Sequence, residues 1–181
     1  MVTNMEVTIE ITNYCPNECD YCSTHASRRG HLKVTQEEIN IFLNKTSSES
    51  DITRINISGG EPLSHPDFYE ILCLCKSYTK NVWVYTNAIT HIIYNTDIVK
   101  EIKVEANVCL TPGREVYIPE NADKVHLLQL VKQGRAKDMV PANIKVSGNI
   151  PRNDCSCDNC KHLVLQANRK SVLAPCRKDY E

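Results

Sequence analysis

A chain of 181 residues, 41% hydrophobic and 24% charged, has material for one globular domain with its own core. No stretch approaches the ~18 uninterrupted apolar residues of a membrane span, and the start, MVTNMEVTIEIT, lacks the basic and apolar regions of a secretory signal, so a cytoplasmic protein without a membrane partner is expected. The net charge of −1 conceals an asymmetry, because residues 1–120 carry 10 basic and 16 acidic side chains while residues 121–181 carry 11 and 6.

Residues 6–12 alternate Val7, Ile9 and Ile11 with Thr8, Glu10 and Thr12, the period of a strand. A polar loop with three cysteines follows. Thr35 and Glu38 form a capping box, starting a helix with Ile39, Phe42 and Leu43 on its apolar face. Residues 53–58, TRINIS, form a second strand that runs into Gly59-Gly60. Pro66 suits the first turn of a helix reaching Tyr78, where its missing N–H costs nothing. In that helix Cys75 shares a face with Phe68, Ile71 and Leu72, so a buried thiol is expected. His65 and His91 read as loop or cap residues. Residues 82–85 are β-branched or aromatic and predict a third strand. A short helix at 96–102 and strands at 104–110, 123–131 and 143–148 complete the series. The early alternation of strand and helix predicts a parallel sheet with helical crossovers. Pro112, Gly113 and Pro119 leave little room for a helix before Lys124.

Ten cysteines are the compositional outlier. A disulfide framework belongs to short exported chains, and disulfides have no need of local clustering. Here Cys15, Cys19 and Cys22 cluster after the first strand, and Cys155, Cys157, Cys160 and Cys176 cluster near the end. Three local thiolates can hold three corners of an iron–sulfur cubane and leave one iron open, as catalytic metal sites keep an open position. The same cysteines could instead bind zinc, completed by His25 or His31. Four thiolates in a loop-rich tail suit a closed zinc site or a fully ligated cluster. Lys161, Arg169, Lys170, Arg177 and Lys178 would offset the negative charge of such a cluster.

Cys15-Pro-Asn-Glu-Cys19-Asp-Tyr-Cys22 resembles the CxxxCxΦC signature of the radical S-adenosylmethionine (SAM) superfamily. Ser58-Gly59-Gly60-Glu61-Pro62, after the second strand, is similar to that family's GGEP motif, and Tyr85-Thr86-Asn87 partly matches its TNG, with Ala88 in place of the glycine. The resemblance spans about residues 5–150. It implies an α/β fold, an incomplete (β/α)6-type partial TIM barrel, with chemistry at the strand C-terminal ends. The missing fourth helix implies an open mouth suited to a bulky substrate. By the same resemblance Cys15, Cys19 and Cys22 hold a [4Fe–4S] cluster whose open iron is chelated by SAM, and Ser58, Gly59, Gly60, Glu61 and Asn87 bind SAM. Gly60 leaves room for the methionine, so Gly60→Val should impair SAM binding and spare the cluster. Asn107, Thr111 and Arg135 are looser candidates for SAM contacts.

LVKQGRAK at 130–137 and the late cysteines resemble, in abbreviated form, the SPASM and twitch extensions of peptide-modifying radical SAM enzymes. This divides the chain into a core, 1–150, and a small cysteine-rich C-terminal extension, 151–181, with Cys155, Cys157, Cys160 and Cys176 on an auxiliary [4Fe–4S] cluster. Two clusters are then expected. The implied function is reductive cleavage of SAM to a 5′-deoxyadenosyl radical that takes hydrogen from a peptide or protein, with a flavodoxin or ferredoxin-type electron donor. RNA or a nucleotide ranks lower as substrate, since only 6% of residues are aromatic and no broad basic surface is evident. The rival from another class is a non-enzymatic module with two zinc sites and a basic tail, in which GGEP has no role.

Overall fold

The computed structural model describes residues 3–87, 105–110, 124–129, 135, 138 and 162–173. The helix expected at 96–102, the strand at 143–148, His91, Thr111 and the four late cysteines lie outside these residues. Two compact units divide the chain. The first is Met1–Cys19, Thr24–His91 and Cys155–Glu181; the second is Asp20–Ser23 and Ile92–Asp154.

The first unit is built on a five-stranded sheet. Its strands are β1 (Thr3–Glu10), β2 (Ser50–Ser58), β3 (Val82–Val84), β6 (His162–Leu165) and β7 (Ser171–Leu173), in the order β3-β2-β1-β6-β7. All neighbours are parallel except β6 and β7, which form an antiparallel hairpin. Parallel neighbours need crossovers, and α1 (Gln36–Glu49) and α2 (Phe68–Tyr78) supply them between β1 and β2 and between β2 and β3. In the second unit β4 (Glu105–Leu110) and β5 (Lys124–Gln129) pair in parallel.

The capping box at Thr35 and Glu38 forms as expected, with Thr35 Oγ1 accepting from Glu38 N and the Glu38 carboxylate accepting from Thr35 N. Ile39 and Leu43 of α1 are buried, as are Val7 and Ile9 of β1, Ile11 just after it, and Ile55 and Ile57 of β2. Ile71, Leu72 and Cys75 bury the inner face of α2, and burial pushes the Cys75 thiol up to about 12. Pro66 precedes α2 rather than opening it. A 3₁₀ turn at Pro62–Ser64 comes first, and there Pro62 takes the opening position, where a missing N–H is harmless.

β6 and β7 are absent from the sequence-based expectation. The loop-rich tail expected there contains a hairpin whose first strand pairs with β1, Val7 opposite Leu163 and Ile9 opposite Leu165. Short strands flanked by cysteines and polar residues carry too little periodicity to be read alone. Their partner lies at the other end of the chain.

The polar side of β1 becomes buried toward its carboxyl end and in the residues that follow. Glu10 and Thr12 are buried, and Asn56 of β2 is 2% exposed. Asn56 Nδ2 donates to Glu6 Oε1 at 2.9 Å and to Thr8 Oγ1 at 3.1 Å; Arg54 pairs with Glu6 and lies 5.4 Å from the Trp83 ring centroid. His162 Nε2 sits 2.6 Å from Thr8 Oγ1. Burial raises the Glu6 pKa, but hydrogen bonds from Arg54 and Asn56 and nearby positive charge outweigh it, so the net shift is downward. Burial lowers the His162 pKa, and the Glu6 charge opposes this only in part.

Both depressed values place stability on the alkaline side. The His162 contribution is complete above 6.5 and fades as pH falls below it, because the unfolded histidine takes up a proton that the folded one resists. The Glu6 contribution is lost below 4.5, as pH falls through the folded value. Urea denaturation between pH 5 and 8 is therefore expected to show falling stability in acid, with a shallower slope in His162→Gln. An identical slope in that variant would refute the assignment.

Candidate functional site

Beyond β1 the chain continues along the end of β2. Ile11 N donates to Ser58 O at 3.0 Å, Gly60 N to Thr12 O at 2.6 Å and Glu61 N to Tyr14 O at 2.7 Å. The parallel pairing thus continues past both strands, and the segment leading to Cys15 is bonded to the Gly-Gly-Glu loop. Residues 24–34 fold back on the other flank. Asn13 N donates to Leu32 O at 3.2 Å, Cys15 N to Ser27 O at 3.0 Å, and the Asn13 side chain accepts from Leu32 N at 2.8 Å. Thr12 Oγ1 donates to Leu32 O at 3.0 Å and accepts from Tyr14 N at 3.1 Å. Arg28 ties the cysteine loop itself, with Nε donating to Pro16 O at 2.7 Å and its main-chain N–H to Glu18 Oε1 at 3.2 Å.

Two glycines make this packing possible from opposite parts of the sequence. A Cβ on Gly60 would lie 2.0 Å from Tyr14 O, and one on Gly30 would lie 2.2 Å from Asn13 O. The structure therefore gives Gly60 a different first reason from the one expected. Its missing side chain admits the main chain before Cys15. Gly59 has φ +132°, a backbone that L side chains rarely adopt, and its Cβ would also meet Thr12 O at 2.3 Å. Gly30 was not legible as a site residue, since a lone glycine among polar residues reads as a loop.

Glu61 is 1% exposed, and its carboxylate is spent on the protein. Oε1 accepts from Leu63 N at 3.1 Å and Thr86 Oγ1 at 2.7 Å, and Oε2 accepts from Asn87 N at 2.9 Å. It clamps the loop after β2 to the segment after β3, whose Tyr85 N still donates to Ile57 O at 2.9 Å. The Asn87 side chain follows from that clamp, with Nδ2 4.0 Å from Cys15 Sγ.

Cys15, Cys19 and Cys22 are half-buried thiols, none of them in a disulfide. Cys15 and Cys19 belong to the first unit and Cys22 to the second, where its carbonyl accepts from Arg135 N at 2.9 Å. Glu18, just before Cys19, has φ 45°, a tight local bend. Among the described residues no three His, Cys, Asp or Glu side chains are close enough to share one metal ion. A cubane makes no such demand, because each corner iron takes one thiolate. The donor set fits such a cluster: three thiols in one short loop, a main chain anchored on both flanks, and an amide donor beside one sulfur.

Other expected residues fall elsewhere. Arg169 pairs with Glu38 and donates to Lys33 O at 3.1 Å, pinning the β6–β7 turn to the start of α1. His65 is a cap, as read: its Nδ1 accepts from Asp67 N at 3.1 Å. Asn107 lies on β4. A groove of about 540 Å³ lined by Tyr14, Gly30, His31, Lys33 and Ser64 adjoins the anchored segment; among the described residues no cysteine lines it. No helix among the described residues is long and apolar enough to cross a membrane.

Parts of this chain are similar to known proteins. The PqqA peptide cyclase of Bradyrhizobium diazoefficiens is 31% identical over 93 residues, 51% of this chain and 23% of that protein. The probable GTP 3′,8-cyclase of Methanocaldococcus jannaschii is 44% identical over 69 residues, 35% of this chain and 22% of that protein. The chain thus spans under a quarter of the length of these relatives. The crystal structure of BtrN in complex with AdoMet and 2-DOIA matches with TM-score 0.60 and 18% identity, covering 99% of this chain and 76% of that one, which shows a shared partial-barrel fold. The model of the Radical SAM superfamily matches residues 9–125, which carry both the cysteine loop and the Gly-Gly-Glu loop bonded to it, and the chain belongs to that family of enzymes.

Proposed function

We propose that this chain is the cofactor-binding core of a radical SAM enzyme acting on a peptide or protein. Cys15, Cys19 and Cys22 would hold a [4Fe–4S] cluster, which would supply the electron for reductive cleavage of SAM to methionine and a 5′-deoxyadenosyl radical able to take hydrogen from the substrate. The carrying observation is the main-chain bonding of the Gly59-Gly60-Glu61 loop to Thr12 and Tyr14, at the carboxyl ends of adjacent parallel strands, where folds of this class place their chemistry. Ser58, Gly59 and Gly60 present main chain to the SAM methionine, and Glu61 holds that loop in place. A flavodoxin or ferredoxin-type donor fits the need for one low-potential electron.

The peptide substrate is supported by the PqqA peptide cyclase relative. A nucleotide substrate is favoured by one observation, the 44% identity to the probable GTP 3′,8-cyclase. Acceleration of 5′-deoxyadenosine formation by GTP would decide for the nucleotide. Cys155, Cys157, Cys160 and Cys176 form, in this proposal, a second and fully ligated cluster.

Anaerobic reconstitution is expected to give about eight irons and eight sulfides per chain, falling to about four of each when Cys15, Cys19 and Cys22 become alanine. Cys176→Ala should also lose the second cluster and keep slow conversion of SAM to 5′-deoxyadenosine. Stoichiometric zinc without sulfide would refute the proposal.

A further inference from the structure

We infer that Asn87 is a positioning residue for Cys15, donating an N–H···S hydrogen bond that raises the reduction potential of the cluster bound there. The inference rests on the proposed role of the cysteine loop. It reassigns Asn87, which the motif resemblance gives to SAM, to a sulfur ligand of the iron.

Three observations carry it. Asn87 Nδ2 approaches Cys15 Sγ to 4.0 Å, the long limit for a bond to a thiol sulfur; bonds to an anionic acceptor are shorter. The residue's main chain is fixed independently of its side chain, by Asn87 N donating to Glu61 Oε2 at 2.9 Å. The preceding Thr86 hydroxyl is held by the other oxygen of the same buried carboxylate at 2.7 Å. The side chain is therefore aimed by a clamp that survives its replacement. An amide adds no net charge, yet its N–H points positive charge at the sulfur. Reduction places more negative charge on cluster and thiolates, so the donor favours the reduced state and raises the potential. Partial burial strengthens the effect by limiting screening.

The test is an anaerobic potentiometric titration of the reconstituted protein without SAM, followed by electron paramagnetic resonance. Asn87→Leu removes the donor at similar volume, and Asn87→Asp replaces it with an anion. With unchanged iron and sulfide, Asn87→Leu should lower the reduced-to-oxidised ratio at fixed potential by about five-fold, a hydrogen bond of ordinary net strength. Asn87→Asp should lower it further. SAM affinity should change by less than about two-fold in Asn87→Leu. Should either variant fail to assemble, wild-type protein labelled with ¹⁵N-asparagine must show nitrogen coupling to the reduced cluster that is absent when Asn87→Gln is labelled in the same way. Midpoints that do not move, or a loss of SAM affinity without a shift, would overturn the inference while leaving the cluster intact. A wild-type chain that assembles no cluster would instead overturn the proposed function itself.

Discussion

Gly60→Ala and Gly60→Val are both expected to abolish assembly of the cluster proposed at Cys15, Cys19 and Cys22, rather than weaken SAM binding alone. The first carbon of any side chain at this position would stand 2.0 Å from Tyr14 O, 2.5 Å from Tyr14 C and 3.0 Å from Asn13 C. These are backbone atoms, so no rotamer relieves the collision. Either the strand ends separate, losing the Gly60 N–Thr12 O and Glu61 N–Tyr14 O bonds, or Tyr14 moves and carries Cys15 with it. Overpacking against backbone with two lost hydrogen bonds should cost about 3 kcal/mol or more. The alanine variant separates the two explanations of the glycine. If the space were reserved for the SAM methionine alone, a single methyl would leave iron and sulfide per chain near the wild-type value. Metal analysis and thermal denaturation of Gly60→Ala thus decide between them, and a stable, fully loaded variant would refute the packing account.

Glu61→Ala should be the most destabilising polar substitution in this loop. It strips the acceptor from Leu63 N, Thr86 Oγ1 and Asn87 N around a residue 1% exposed. The three donors are only part-buried, so each is expected to cost toward the low end of about 1–3 kcal/mol, and the sum of about 3 kcal/mol is still a sizeable share of the ~5–15 kcal/mol margin of a folded domain. Glu61→Gln keeps the shape and one oxygen. That oxygen is expected to stay with Leu63 and Thr86, which supply two donors, leaving the new NH₂ against Asn87 N–H. The cost then falls to one part-buried donor, roughly 1 kcal/mol, concentrated at Asn87. Urea denaturation should rank the variants wild type, Gln, Ala, and hydrogen exchange should show Asn87 N–H deprotected in Glu61→Gln. A glutamine variant as stable as wild type would mean the carboxylate does not clamp this loop.

What could be read without a structure was local. The Thr35–Glu38 capping box, the buried face of α2, Ile39 and Leu43 of α1 and the alternation along β1 depend on residues a few positions apart, and these are present as read, with Phe42 only half-buried. The three clustered cysteines and the Gly-Gly-Glu-Pro run were legible for the same reason, since ligands and tight loops leave their mark in short spacings. The family followed from them.

The reasons behind those residues were not legible, because they lie in partners brought close only by folding. Gly60 and Gly30 are glycines because each must pass the same Asn13–Tyr14 main chain, and composition does not reveal which segment will approach. The Glu61 role depends on Thr86 and Asn87, 25 and 26 residues further on. The β6–β7 hairpin takes its place from β1, and His162 meets Thr8 across 154 residues of chain. The pairing of Arg169 with Glu38 was not legible, because the two residues are 131 positions apart. Sequence by itself determined the family and the thiols this loop offers, since residue type and spacing are covalent facts. Only the tertiary structure decided what aims the ligands, because a hydrogen bond or a steric contact between distant residues exists only once the backbone has brought them together.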